Sequence, residues 1–391
     1  MSARVSLRPV ADPASVAADW RALEPRADAS FFQSWTWVGC LASERFGDAW
    51  LLRVEQAGAL VGLALLNRTR RRTRRRTRRP PGQRRLFGER LWLGESGDPA
   101  LDCVHVEHNG PLLARGHAGL LPACLRALLA PSGWPGRVLR LSGVDAAHLA
   151  AARAAGAVRL LRRQPAPFVD LAALGGGEGA YLASLSANTR QQLRRSGRAY
   201  AAIGPPGLRR AATLDEALDF LDALAALHQA AWAARGQPGA FARPGFMRFH
   251  RELLARAMPR GEADLLRVTA GDHVVGYLYN FRHRGRVLAY QSGFAYAGAP
   301  RHGKPGLTCH HAAIAQARRD GMTRYDFLAG GDRYKTSLAN AAATLHWLEA
   351  APRWSLSGLA LWGRGIAGDV SDAIRQAARA GSARLLAPRR R

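Results

Sequence analysis

Two segments with the same pattern of apolar and polar positions lie 214 residues apart, counted from Leu51 to Leu265. Residues 51–66 and residues 265–280 each contain an apolar run, a short polar turn and a second apolar run, which is the pattern of a β-hairpin. Six aligned positions are identical, and both segments begin with Leu-Leu-Arg-Val. A helix-like stretch with aromatic residues precedes each hairpin. The pattern predicts that one fold occurs twice in the chain.

The second half of the chain shows a complete series of periodic segments. Thr213 is predicted to cap a helix, because acidic residues follow it in the first turn and apolar residues then recur at helical spacing. Gly321 is predicted to end a later helix. The predicted elements, in chain order, are helices at 213–234 and 244–257, strands at 264–269, 273–282 and 286–294, a helix at 307–319 and a strand at 324–328. This order predicts a mixed α/β domain with helices on the faces of its sheet.

Length and composition support two folded domains. The chain has 391 residues, of which 48% are hydrophobic and 22% charged, so each half can bury a core of its own. The predicted division is a first half at 1–165, a connecting region with a basic helix at 166–212, a second half at 213–355 and a basic helical tail at 356–391.

The formal net charge of +28 favours acidic partners such as nucleic acid, anionic lipid surfaces, carrier proteins or coenzyme A. The sequence shows no apolar run long enough for a membrane span and no apolar core of a secretory signal, so we expect a cytoplasmic protein, soluble or peripheral at the inner membrane surface. The four cysteines form no CxxC pair and lack histidines at zinc-ligand spacing. We therefore expect reduced, buried thiols and no metal site.

An arginine tract occupies residues 68–79 and contains nine arginines. One interpretation is a binding segment for nucleic acid or an anionic surface. The other is a solvated loop between two strands of the first half, which like charges keep extended. No aromatic residue interleaves the arginines for stacking on bases, and this favours the loop.

A glycine-rich loop at 299–306 lies between a predicted strand and a predicted helix. Backbone N–H groups at the start of a helix suit a phosphate group, and glycines allow its close approach. Arg301, His302 and Lys304 add positive charge to this loop. The loop is therefore either a phosphate site or an ordinary strand–helix connection.

A carboxylate inside an apolar strand marks the next segment of interest. Asp326 lies in the predicted strand at 324–328, and a Gly-Gly pair, Tyr334 and Lys335 follow. A buried carboxylate is costly unless it is paired or hydrogen-bonded. Asp326 is predicted to pair with Lys335 or Arg333, or to accept backbone N–H groups, either as a structural ion pair or as a catalytic group.

The order of these residues resembles the C-terminal signature of the CelD/BcsL-type acyltransferases. This family belongs to the GNAT superfamily and is related to the FemAB/FemX peptidoglycan aminoacyltransferases. The residues that carry the resemblance are Tyr290, Ser292, Gly293, Pro305, Gly306, Gly321, Asp326, Phe327, Gly330, Tyr334 and Lys335. The resemblance extends over about 30–350, more weakly in the first half. It implies an α/β fold of two tandem duplicated GNAT-like halves with mixed sheets flanked by helices, in which the first half is degenerate.

The resemblance also implies a reaction: direct acyl transfer from a thioester, usually acetyl-CoA or another acyl-CoA, to an amine or hydroxyl acceptor, without a metal. By this resemblance Asp326, Tyr334 and Lys335 are the candidate catalytic residues. The candidate donor-binding residues are Tyr290, Ser292, Arg301, Gly303, Lys304 and Gly306. In the basic helix of the connecting region, Arg190 and Arg194 are candidate contacts of an acidic substrate.

The phosphate loop departs from the superfamily pattern of Gln/Arg-x-x-Gly-x-Gly/Ala. Counted from Arg301, Lys304 stands where the first glycine is expected, while Gly306 fits the second. An acyl carrier protein or an aminoacyl-tRNA is therefore an alternative donor. A third interpretation is a non-catalytic protein that binds nucleic acid or a membrane surface. The family name also implies a role in exopolysaccharide or cell-envelope synthesis.

Overall fold

The computed structural model describes residues 3–70, 88–130, 136–177 and 179–364. Thirteen strands form one sheet. The strands are β1 Arg4–Val10, β2 Ala49–Gln56, β3 Ala59–Arg70, β4 Glu89–Leu93, β5 Leu112–Leu113, β6 Arg137–Val144, β7 Ala157–Asp170, β8 Pro206–Arg210, β9 Ala263–Ala270, β10 His273–His283, β11 Arg286–Phe294, β12 Arg324–Asp326 and β13 Ala341–Ala351.

Ten α-helices in the described residues pack around this sheet. The helices are α1 Ala17–Leu23, α2 Trp35–Arg45, α3 Leu121–Leu129, α4 Ala146–Ala155, α5 Ala180–Ser184, α6 Ala187–Ala201, α7 Leu214–Ala233, α8 Pro244–Ala257, α9 Pro305–Arg319 and α10 Arg333–Leu338. Residues 356–364 are also helical, and the rest of the predicted tail lies outside the described residues.

The order of the strands reveals a duplication. Across the sheet it runs β1-β2-β3-β4-β6-β13-β7-β12-β11-β10-β9-β8, with β5 beside β3. When β1, β2, β3, β4, β6 and β7 are matched to β8, β9, β10, β11, β12 and β13, the order reads the same from either edge. Helices also match, because α1 and α2 follow β1 as α7 and α8 follow β8. The tandem fold predicted from the hairpin repeat is confirmed, whereas the limits of the predicted domains stay a prediction.

The last strand of each half crosses into the sheet of the other half. β13 pairs with β6 of the first half, and β7 pairs with β12 of the second half, both in antiparallel fashion. β7 and β13 also pair with each other, from Ala341↔Phe168 to Ala351↔Ala157. The two halves therefore share one ladder of backbone hydrogen bonds at the centre of the sheet, with a register shift near Trp347.

Local signals explain most element boundaries of the second half. The Thr213 hydroxyl accepts a hydrogen bond from the Glu216 N–H group and caps α7 as predicted. α9 begins at Pro305 rather than at 307, because proline fits the first turn of a helix, where its missing N–H group has no helical partner. The predicted strand at 324–328 ends at Asp326, because Leu328 adopts a left-handed φ of 61°.

Aromatic side chains form the core where the two halves meet. Phe31 of the first half stacks on Phe281 of the second, with ring centroids 4.1 Å apart. Trp37 packs edge-on against Phe281 and Tyr290. Phe31, Trp37 and Phe281 are almost completely buried. Burying aromatic side chains of this size contributes strongly to the association of the halves.

The four cysteines are free thiols in buried positions, as their spacing predicts. Burial raises the pKa of the Cys40 thiol to about 12 and that of Cys124 to about 11, which keeps both in the unreactive protonated form near neutral pH. No helix of the described residues is both long enough and apolar enough to cross a membrane.

The arginine tract begins inside a strand rather than in a loop. β3 extends to Arg70, and Arg68 forms an ion pair of 2.7 Å with Asp48. The strand therefore continues beyond its predicted end near Leu66, because Asp48 neutralises one of the arginines. Residues 71–79 of the tract lie outside the described residues.

The shared ladder predicts that the first half does not fold without β13. A chain ending at residue 340 lacks the strand between β6 and β7, so we expect it to lose cooperative unfolding altogether, whereas a chain ending at residue 364 keeps it. Thermal unfolding monitored by circular dichroism checks this. A cooperative transition in the shorter chain would show that the halves fold independently.

Candidate active site

A chamber opens where two neighbouring strands of the second half diverge. β11 and β12 pair in parallel over three residues, ending at Leu288↔Asp326. β11 continues to Phe294, whereas the chain after Asp326 turns away with the left-handed Leu328. The side chains or backbone of β11 from Ala289 onward line the chamber. Beyond Leu288 no described strand pairs with this edge of β11, so peptide groups there that lack another partner can bind a ligand.

The chamber has a volume of about 410 Å³ and joins an outer groove of about 640 Å³. The outer groove is lined by residues of both halves, including Glu95, Arg140, Arg243 and Trp347. The residues that line both spaces are His105, Arg162, His228, Trp232 and Gln291. Spaces of this size suit two small reactants or the reactive ends of larger ones.

A loop of the first half enters the chamber and contributes a carboxylate. Glu107 lines the chamber wall, and its carboxylate accepts a hydrogen bond from the Ala329 N–H group. Burial raises the pKa of Glu107, and the Ala329 N–H group and the electrostatic effects of His108 and Lys335 oppose that rise only in part. A buried carboxyl with a raised pKa, facing a cavity, is suited to proton transfer.

Asp326 lies behind the chamber and lines neither space in the described part of the chain. Its carboxylate accepts hydrogen bonds from Arg324 at 2.5 Å and from the Leu328 N–H group at 2.8 Å, and His108 Nε2 lies 3.2 Å away. Burial acts to raise the pKa of Asp326, but His108, Arg324 and the Leu328 amide together lower it. Lys335 and Arg333, the partners expected from sequence, are not its ion-pair partners.

Lys335 and Tyr334 also line the chamber. The Lys335 ammonium donates to the Ala329 carbonyl at 2.8 Å, and a Cβ atom on Gly330 would lie 2.9 Å from Nζ. Gly330 therefore leaves room for the ammonium. Burial lowers the pKa of Lys335, whereas the negative charges of Glu107 and Asp332 raise it.

The ring of Tyr334 stacks on His310, with centroids 5.3 Å apart. Burial raises the pKa of the Tyr334 phenol. His310 Nδ1 bonds the Tyr325 hydroxyl at 2.9 Å, and burial lowers the pKa of His310 to about 3. Tyr334 is therefore held as a neutral proton donor against a neutral imidazole.

Two donor-site candidates lie on β11. The Tyr290 hydroxyl accepts a hydrogen bond from the His105 N–H group at 3.2 Å, which ties β11 to the first-half loop. Burial raises the pKa of Tyr290. The Ser292 carbonyl accepts from His228 Nδ1 at 3.0 Å, while the Ala240 N–H group donates to His228 Nε2 at 3.3 Å. Both ring nitrogens of His228 are engaged, so it positions the chamber wall.

The other donor-site candidates lie in the loop before α9. Arg301 and Lys304 are exposed, and Gly303 and Gly306 are half-buried. None of the four lines the chamber among the described residues. A Cβ atom on Gly306 would lie 3.2 Å from the ring of Phe294, so this glycine permits close packing of α9 on β11.

The two substrate-site candidates on α6 differ from each other. The Arg190 guanidinium donates to the Leu185 carbonyl near the end of α5, which gives it a structural bond. Arg194 is exposed on the same face, one turn further along, and both line a shallow depression along α6. The structure does not bring either arginine into the chamber lining.

Ligand-type side chains also meet at the junction of the halves. Glu24, Glu262 and His283 are buried, and one potential ligand atom of each lies within 4.8 Å of the others. Burial raises the pKa of Glu24, and burial lowers the pKa of His283 to about 4. Arg260 donates to Glu262 at 3.1 Å, so a protein cation already balances part of this negative charge.

Sequence reasoning missed the first-half contribution to the site. Glu107, His105 and Arg162 lie in the half that was expected to be degenerate, and Trp232 lies on α7. The guanidinium of Arg162 stacks on the Trp347 ring at 3.7 Å. No motif marks these residues, because they converge only after β7 and β13 have crossed between the halves.

Comparison with known proteins identifies a similar domain in the second half of the chain. Residues 187–336 match the family model of the acetyltransferase (GNAT) domain. No curated protein sequence matches the chain at a significant level. The crystal structure of FemX superposes with a TM-score of 0.56 at 10% identity, covering 91% of this chain and 100% of that one.

A second similar structure is the C-terminal domain of a putative lysylphosphatidylglycerol synthetase from Agrobacterium fabrum. Its TM-score is 0.51 at 11% identity, and the match covers 89% of this chain and 95% of that domain. Identities this low show a common fold. Residues 187–336 are therefore similar to an acetyltransferase (GNAT) domain, and this part of the chain indicates an acyltransferase. This chain contains one such domain, from α6 into α10, within a tandem pair of GNAT-like halves.

Removing the charge of Asp326 should destabilise the protein. Asp326→Asn leaves Arg324 and His108 without their buried anion, at a cost of roughly 3–5 kcal/mol in the free energy of unfolding. Because the pKa of Asp326 is lowered on folding, its contribution is present above the unfolded pKa of about 4 and is lost as the pH falls through the folded value.

The stability difference between wild type and Asp326→Asn should therefore be largest at neutral pH and shrink below pH about 4. Urea unfolding at several pH values measures it. Asp332→Asn is the matched control, because Asp332 is exposed. A difference that stays constant with pH would contradict the assigned ion pairs.

Proposed function

We propose that this protein transfers an acyl group from a thioester donor, of which acyl-CoA is the simplest form, to an amine or hydroxyl acceptor. One observation carries the proposal: the open edge of β11 forms a chamber with a buried carboxyl, a phenol and an ammonium group on its walls. Residues 187–336 match an acetyltransferase (GNAT) domain, the family resemblance implies a thioester donor, and the outer groove offers a separate approach for the acceptor.

The geometry supports a single displacement in the chamber. The thioester carbonyl lies along β11, where peptide N–H groups polarise it. The acceptor enters through the outer groove, and its nitrogen or oxygen attacks the carbonyl carbon. Glu107 takes the proton of the nucleophile as the new C–N or C–O bond forms, and the C–S bond then breaks while Tyr334 donates its proton to the leaving sulfur. The proton held by Glu107 returns through solvent to Tyr334, so both groups regain their starting states. Lys335 balances the charge of Glu107.

This assignment moves the base from Asp326 to Glu107. Three donors or cations occupy the carboxylate of Asp326, and the lowered pKa makes it a weak base. Asp326 is instead a positioning residue that holds His108, the neighbour of Glu107. Tyr334 and Lys335 keep the catalytic roles that the family resemblance implies.

The donor extends from the chamber toward the loop before α9. Tyr290 and Ser292 lie along β11 at the thioester end, and Tyr296 lies at the chamber wall near the loop. Arg301 and Lys304 are positioned to meet phosphate groups, and Gly303 and Gly306 shape the loop. The resemblance to the CelD/BcsL family supports a role in exopolysaccharide or cell-envelope synthesis.

A second candidate is transfer from an aminoacyl-tRNA. The observation that favours it is the row of arginines on α6, which includes the half-buried Arg190 and the exposed Arg194 and would suit a phosphate backbone. The same row supports the non-catalytic alternative, binding of nucleic acid or an anionic membrane surface. The non-catalytic alternative gives the chamber walls no role. Transfer from an aminoacyl-tRNA would use them in the same way, with an ester in place of the thioester.

Donor binding is the first measurement. We expect acetyl-CoA or a longer acyl-CoA to bind with an affinity that Lys335→Ala weakens about tenfold, because one buried cation is worth about 1.4 kcal/mol or more to an anionic or polarised ligand. Isothermal titration measures the dissociation constants. The same titration is made with Asp326→Asn. It is also made with Lys304→Ala, which tests the contribution of the loop to donor binding apart from that of the chamber. Absence of binding by any acyl-CoA would contradict acyl-CoA as the donor.

Turnover should depend on the carboxyl of Glu107. Glu107→Gln is expected to lower kcat by about 10²–10⁴-fold while donor affinity stays within about twofold. Because burial raises the pKa of Glu107, the wild-type rate should rise with pH through a limb above the ordinary range for glutamate, and the variant should lack that limb.

The matched control is Glu95→Gln, since burial also raises the pKa of Glu95 but this residue lines only the outer groove in the described structure. Thioester consumption with a panel of amines and alcohols, followed by free thiol release, gives the rates. Equal rates for wild type and Glu107→Gln would remove Glu107 from the mechanism.

A further inference from the structure

Helix α6 closes the place where a phosphate loop is expected to be open. The Ser196 hydroxyl of α6 accepts a hydrogen bond from the Lys304 N–H group at 2.8 Å. The same hydroxyl lies 2.8 Å from the Thr308 hydroxyl in the first turn of α9. Ser196 is completely buried. A protein hydroxyl therefore occupies a position at the start of α9 that a phosphate oxygen would otherwise take.

A second amide of this loop is also engaged inside the protein. The Gly303 N–H group donates to the Pro300 carbonyl at 2.7 Å. A Cβ atom on Gly303 would lie 2.8 Å from Pro300, so glycine is needed here for the tight turn. With the amides of Gly303 and Lys304 both used, the loop has fewer donors for a nucleotide diphosphate. A single phosphate group needs fewer hydrogen-bond donors than a diphosphate does.

The outer face of the same helix carries an unpaired positive surface. Arg194, Arg195 and Arg198 are exposed on α6, and Arg301 and Lys304 are exposed on the adjoining loop. Desolvation and then the positive charges of Arg195 on α6 and Arg301 in the loop lower the pKa of His302. Both arginines therefore lie near His302, and the helix and the loop present one continuous basic surface. No carboxylate of the described residues forms an ion pair with any of these five cations.

We propose that the acyl donor arrives as the phosphopantetheine thioester of an acidic carrier protein that docks on this basic surface. The inference rests on the proposed function and names the form of its donor. The carrier's phosphopantetheine has one phosphodiester, which matches a loop with few free amides, whereas coenzyme A brings a diphosphate and a ribose phosphate. The pantetheine arm then runs past Tyr296 into the chamber.

The shape of the surface favours a protein over a nucleic acid. Arg194 and Arg198 are one turn apart, about 6 Å along the axis of α6, which suits acidic residues at the same spacing on a partner helix. The one aromatic residue of α6, Tyr200, is buried, so the helix offers no platform for stacked bases. We therefore expect α6 to recognise its partner through ion pairs with an acidic helix.

The test compares two donors that share one acyl chain. Hexanoyl carrier protein and hexanoyl-CoA are titrated against the full chain by fluorescence anisotropy or calorimetry, at low and at physiological salt. We expect the carrier form to bind at least tenfold more tightly. Arg194→Glu with Arg198→Glu should weaken carrier binding at least tenfold and leave hexanoyl-CoA within twofold. The double lysine variant at these positions should keep most of the carrier affinity.

Arg126→Glu is the matched control, because Arg126 is an exposed helical arginine of the first half. If hexanoyl-CoA binds as tightly as the carrier form and charge reversal changes neither, the carrier inference is overturned while the proposed function stands. If neither thioester binds, the proposed function fails as well. If an uncharged or aminoacylated tRNA binds more tightly through the same arginines, the partner is a nucleic acid and the inference is overturned.

Discussion

The buried carboxylate of Asp326 lies behind the chamber and contacts the segments that form its walls. A carboxylate at this depth requires compensation, and it draws that compensation from three directions: Arg324 on its own strand, the amide of Leu328, and His108 from the other half of the molecule. The bond to Leu328 accompanies the turn that ends β12 and opens the chamber. The contact with His108 holds the loop that carries Glu107. One ionic cluster therefore connects the turn that opens the chamber with the loop that carries Glu107.

The first half contributes side chains to the chamber, although the acetyltransferase (GNAT) domain model matches only residues 187–336. β4 and β6 pair over five residues, whereas β11 and β12 pair over three. The open chamber thus lies in the second half, while the first half supplies Glu107, His105 and Arg162 to its rim. Duplication has produced one half that contains the open chamber and one that completes its walls.

The features that sequence could predict are those with local causes. The hairpins, the cap at Thr213 and the helix at 244–257 follow from periodicity and capping within a few residues. The pairing of Asp326 with Arg324 also had a local signal, because side chains two apart on a strand share a face. The contact with His108 and the position of β13 beside β6 had none, since each joins segments from opposite halves. Glu107 stands in an alternating Val-His-Val-Glu segment that looks like any exposed strand.

The crossing of β7 and β13 has a consequence for synthesis of the chain. A ribosome delivers the first half long before residues 341–351, so β6 waits with one edge unpaired while the whole second half is made. The unpaired edge of β6, with apolar residues such as Leu139 and Leu141, can pair with strands of other chains. Folding of the first half therefore depends on long-range contacts and is completed only after β13 has been made, and until then the open edge of β6 favours aggregation.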